Sequence, residues 1–175
     1  LGNERFEEEI RFAEKVAAEQ GSRRVAAAAA GARGWLLYEQ KKYRAAGELH
    51  RQASRDAPNA VTRTSALLGA ATAFLDGGDL DDAVELAERA RDFARTKRHA
   101  ILEARAEFVG RAAAYRRGDA MQPDLPLALA SRDLGAPQIA AVIDLNEAAI
   151  AWRSGRLDAA RQLARHAARI WQGDQ

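Results

Sequence analysis

Four short turns constrain this chain more than any other feature: Lys41-Lys42-Tyr43, Gly78-Asp79-Leu80, Gly118-Asp119-Ala120 and Gly155-Arg156-Leu157 recur at steps of 37, 40 and 37 residues. Aligning the turns brings their flanks into register. Tyr38, Leu75, Tyr115 and Trp152 stand at one position just ahead of the turn, and Ala53, Ala90, Ala130 and Ala167 at one position well beyond it. A further small residue recurs at Ala46, Ala83 and Ala160, but the third unit has Pro123 there. Small side chains at fixed positions let two helices approach closely, and a large one near the turn fills the space between them. The pattern therefore predicts helix pairs stacked unit on unit, with an irregular third unit.

Apolar residues recur at three- and four-residue spacing almost throughout, with no alternating β-branched run, so the chain reads as all-α. Helices are expected at 4–20, 23–40, 44–56, 60–76, 80–96, 98–117, 124–134, 138–154 and 157–171. Glycines at the breaks accept the left-handed backbone that ends a helix. Asn59 and Asp79 are placed to cap the helices that follow them, and Pro137 suits a first turn.

With 175 residues, 47% hydrophobic content and four prolines, the chain can bury one core. It is read as a single domain over 1–175, an orphan helix 4–20 followed by helix pairs 23–56, 60–96, 98–134 and 138–171. No apolar run approaches the roughly 18 residues of a membrane helix, because Ala26 to Ala30 is soon followed by Gly31, Arg33 and Gly34. No membrane association is expected. Without cysteine there is no disulfide or thiolate metal site, which fits the cytoplasm. The opening Leu1-Gly2-Asn3-Glu4 has neither an initiator Met nor a signal profile, so a longer parent chain is expected.

The first full unit resembles the tetratricopeptide repeat, through Gly34, Tyr43, Ala46, Ala53 and the closing Pro58-Asn59. The second is similar through Ala71, Phe74, Leu80, Ala83 and Ala90, and the fourth through Ala148, Leu157, Ala160 and Ala167. The period here exceeds that family's, which is about 34 residues. Units two and four lack the closing proline, and unit three carries Pro123 and Pro126 early in its second helix. The resemblance implies a right-handed α-solenoid of antiparallel helix pairs, about nine helices in all. The longer period and Ala-Glu-Gln-Gly-Ser-Arg-Arg at 18–24 are similar to the helical arrays of large bacterial signalling ATPases and transcription regulators, where such arrays are sensor or docking parts.

In that family the first helices of successive pairs line a concave groove that accepts a peptide or protein segment. Carried onto this register, the groove positions are Trp35, Tyr38, Leu68, Thr72, Leu75, Arg105, Phe108, Ala112, Tyr115, Leu145, Asn146, Ala149 and Trp152. Aromatic and Arg side chains there are suitable anchors. The Lys and Asn clamp by which one subgroup holds chaperone C-termini is missing, since its positions are Gly31, Trp35, Leu68 and Thr72. Two alternatives accompany the docking reading. Leu163, Ile170 and Trp171 lie on a broad apolar face of the last helix, which points to self-association as a homodimer. Trp35, Tyr38, Arg105 and Tyr115 together suggest small-molecule sensing.

The chemistry-bearing residues do not assemble into an enzyme. His50, His99 and His166 have no metal-ligand spacing, and the Gly31-Ala32-Arg33-Gly34 stretch has neither a preceding strand nor a Gly-Lys-Ser/Thr. Its glycines are read as close-packing positions. Asp76, Asp79, Asp81 and Asp82 lack calcium-loop spacing and read as capping and solvation. No catalytic residue, metal or cofactor is therefore expected. Net charge is only +2, with the clearest excess, +5, over residues 23–60, and no DNA-reading motif accompanies it. Direct nucleic-acid binding is not expected.

Overall fold

The computed structural model describes residues 2–173; Leu1, Asp174 and Gln175, at the ends of the expected domain, lie outside them. Among the described residues there are nine helices and no strand: α1 (Gly2–Gln20), α2 (Arg23–Glu39), α3 (Tyr43–Asp56), α4 (Ala60–Gly77), α5 (Leu80–Thr96), α6 (Ala100–Arg117), α7 (Leu125–Arg132), α8 (Pro137–Arg153) and α9 (Leu157–Gln172).

Local chemistry explains most of the boundaries. The Asn59 side chain accepts from the Thr62 N–H at 2.9 Å, and Asp124 from the Leu127 N–H at 2.9 Å, each satisfying an amide the helix leaves open. Asp79, expected to cap α5, makes no such bond. Its neighbour supplies the turn instead. Lys41, Gly78, Gly118 and Gly155, equivalent in the repeat, all have positive φ, at 59°, 86°, 100° and 77°. The alignment thus rests on a shared backbone shape, and only the first unit adopts it with a side chain present, at a strain of about 1 kcal/mol.

Each helix packs on the next in sequence, except that α6 and α7 barely meet; α2 also touches α4, α4 touches α6, and α6 touches α8. The pairs therefore stack as a helical, solenoid-like array with first helices side by side. Leu67, Phe74, Leu86 and Val109 centre one core cluster, and Ala104, Ala128, Ile143 and Leu163 a second; Phe108 packs against both.

Glycines set how closely the early helices approach. The His50 ring lies where a Cβ on Gly34 would come within 2.8 Å and one on Gly69 within 2.9 Å. A Cβ on Gly47 would meet the Phe74 ring at 2.7 Å. Gly31, grouped with Gly34 in the sequence reading, has nothing within 4 Å and makes no close approach.

The repeated alanines separate the units. Ala46, Ala53, Ala83, Ala90, Ala160 and Ala167 are buried, whereas Ala130 is exposed. Residues 119–124 form no helix, Pro126 sits in the first turn of α7, and that helix has only eight residues instead of the expected 124–134. Without the leading turns α7 docks differently, and Ala128 rather than Ala130 occupies its buried seat.

Candidate functional site: the exposed face of the first helices

A ladder of polar contacts ties the C-terminal ends of the first helices together. The Tyr38 hydroxyl hydrogen-bonds Asp76. Arg116 donates to the Leu75 carbonyl at 2.6 Å, and Arg153 donates to the Tyr115 carbonyl at 2.9 Å while its guanidinium lies 4.9 Å from the Tyr115 ring centroid. Asp76, Arg116 and Arg153 occupy one repeat position, two residues before the turn glycine, and each reaches the preceding unit at the position of Tyr38, Leu75 or Tyr115. The two arginines also sit at the C-terminus of a helix, the negative end of its dipole. Burial and the neighbouring Asp76 carboxylate both push the Tyr38 phenol upward, so it remains a hydrogen-bond donor.

Against this frame the expected groove residues divide. Leu68, Leu75 and Ala112 are buried in the first core cluster and Phe108 is wedged between both clusters, so none of the four forms an open surface. The cause is the close approach of α4 to α6, which closes the middle of the face. Tyr38, Thr72, Tyr115, Asn146 and Ala149 are half-buried, and Arg105 is exposed. Trp35 is 48% exposed, edge-on to both Tyr38 and His50. Leu145 and Trp152 are 46% and 67% exposed. With Val142, which is also exposed, they fall at three- and seven-residue steps along one face of α8. The expected continuous groove is thus two exposed patches, one at Trp35 on α2 and one along α8.

The sequence reading missed the residues that hold α8. Asp144 and Glu147 are both wholly buried. Glu147 takes a two-pronged ion pair from Arg111, each N···O 2.6 Å, and also accepts from the Asp124 N–H at 2.7 Å. Arg111 in turn donates to the Gln122 carbonyl at 2.9 Å. One turn away, Asp144 accepts from Arg132 of α7 at 3.2 Å and pairs with His166 of α9. Two acids three residues apart in the run Ile139 to Ile150, in which Asn146 is the one other polar residue, were the available signal.

The acidic turn also resolves into partners: Asp76 with Tyr38 and Arg116, Asp81 with Arg117 at 2.7 Å, and Asp82 with Arg51 at 2.6 Å. On the last helix Leu163 is buried in the second core cluster, which removes it from any self-association surface; Ile170 is half-buried and Trp171 is 60% exposed. No group of three or more His, Asp or Glu suited to a metal, and no helix long and apolar enough to cross a membrane, occurs among the described residues.

Compared with known protein families, curated proteins and solved structures, the chain finds no match. The resemblance to the tetratricopeptide repeat rests on its repeat positions alone.

Proposed function

We propose that this chain is a docking scaffold of the tetratricopeptide kind, a right-handed solenoid of antiparallel helix pairs that holds a peptide or protein segment, as the docking or sensor part of a longer bacterial regulatory protein. The observation that supports it is the apolar stripe Val142, Leu145 and Trp152, which leaves large side chains in solvent on a helix that is otherwise firmly held. Such exposed apolar positions on a rigid helix are suitable hot spots, because little side-chain or backbone entropy remains to be lost on binding. Arg105 on the adjoining first helix offers a directional charge, and Trp35 a second anchor three units from the stripe. No catalytic role is proposed.

Self-association through α9 is the second reading, supported by Leu157 and Trp171, 50% and 60% exposed. Affinity capture from a bacterial lysate separates the two. Docking predicts a partner retained by wild type and Trp171→Ser but lost with the Leu145→Ser/Trp152→Ser variant. Loss of the partner only with Trp171→Ser, or a concentration-dependent dimer abolished by it in light scattering, would transfer the working surface to α9.

A further inference from the structure

We propose that the cleft between α7 and α9 binds an organic polyphosphate, its phosphoryl groups on Arg161, Arg165 and Arg169 and its organic part in an adjoining cavity. The three arginines follow each other at four-residue steps, so they line one face of α9 over about 12 Å. A cavity of about 480 Å³ opens beside them, and Arg132 of α7 and His166 complete its walls. A second cavity of about 430 Å³ shares Arg132, His166 and Arg169, and is otherwise walled by residues such as Ala136, Pro137, Ala140 and Ile170. One chamber is lined almost wholly by charged and polar side chains, and its neighbour combines Arg132, His166 and Arg169 with an apolar wall. That division matches a molecule with an anionic chain at one end and an uncharged organic group at the other.

The charge balance of the cleft favours an anion. Its carboxylates are Asp158, a fully exposed residue 3.5 Å from Arg161, and Asp144, which is buried and engaged by Arg132 and His166. Asp144 thereby orients Arg132 and His166 without pairing with Arg161, Arg165 or Arg169. Arg33, Arg51, Arg111 and Arg117 each meet a carboxylate at 2.7 Å or less, whereas Arg165 and Arg169 have no such partner among the described residues. The guanidinium fork matches phosphoryl oxygens in pairs and stays charged at any physiological pH. Both volumes fall in the range of small-molecule sites. The site lies chiefly on α7 and α9, with Pro137 and Ala140 from the first turn of α8, and none of Val142, Leu145 and Trp152 lines it.

Isothermal titration of the chain with ATP, ADP and inorganic tripolyphosphate, at about 0.15 M salt, tests this. Wild type is expected to bind ATP at one site, ADP more weakly, and Arg165→Gln/Arg169→Gln to lose about tenfold or more in affinity. Both side chains are exposed, and an unchanged melting curve for the variant excludes a folding defect. Trp152→Ser should bind as wild type does. Tighter binding of ATP than of tripolyphosphate supports the organic group in the second cavity; equal affinities overturn that part and leave an oligophosphate site. No binding of any of the three, binding indifferent to the double variant, or capture of polyglutamate in their place overturns the proposal.

Discussion

The stack from α2 to α5 and the segment from α7 to α9 solve the same packing problem by different means. In the first, contact is steric. His50 fits between Gly34 and Gly69, Phe74 lies on Gly47, and the alanines at Ala46, Ala53, Ala83 and Ala90 are buried. In the second, Pro123 and Pro126 remove the leading turns of a helix, and polar groups hold what remains: Glu147 fastens the 119–124 segment through Arg111 and the Asp124 amide, while Asp144 joins α7 to α9. A repeat can therefore lose helix from one member and keep its stacking, provided that buried charge finds several partners at once. The arrangement also costs more when damaged, because a buried ion stripped of its partner is far less tolerable than a missing methyl group.

Glu147→Ala should break the second region hardest. It leaves Arg111, only 15% exposed at its side chain, without a counter-ion and the Asp124 amide without an acceptor, so a loss of about 3 kcal/mol is expected in chemical denaturation. Glu147→Gln, which retains some of the hydrogen bonds, should lose less. In the first region, Gly47→Ala forces a methyl group to within 2.7 Å of the buried Phe74 ring, and about 2 kcal/mol should be lost. Equal and small effects of both substitutions would erase the contrast.

Acid should sharpen it. Burial pushes the His50 imidazole below its usual pKa, so the unfolded chain takes up the proton first. Stability is then complete above the ordinary His range, about 6.5, and falls as pH is lowered from there toward the depressed folded value. Melting at about pH 7.5 and about pH 5.5 should show a decline that is smaller in His50→Gln. The mildest change is a gain. Lys41→Gly places glycine at the one turn of the four that lacks it, and about 0.5 to 1 kcal/mol should be recovered.

The helices were legible because their signals are local. Each observed boundary lies within two residues of the expected one, and turn glycines, Asn59 and Pro137 mark ends by their own backbone preferences. Pro123 likewise announced that the third unit would differ. The surface was less legible, because exposure depends on how far apart neighbouring first helices lie. Leu68, Leu75 and Ala112 occupy docking positions in the family resemblance yet are closed over here, while the equivalent Leu145, Trp152 and Ala149 remain open or half-open at the last unit. Asp76, Arg116 and Arg153 share one position, but opposite charges at that position hide their common role of reaching into the preceding unit. Asp144 and Glu147 give no sign of their partners in the sequence, because Arg111, Arg132 and His166 lie 36, 12 and 22 residues away along the chain.

The docking stripe of α8 is useful only while Asp144 and Glu147 hold that helix in place. Hydrogen exchange of wild type and Glu147→Gln, resolved along the chain, tests this most directly. The account predicts that amides in 119–132 and α8 lose protection while α2 to α5 exchange as before. Equal loss throughout the chain, or none in 119–132, would contradict it.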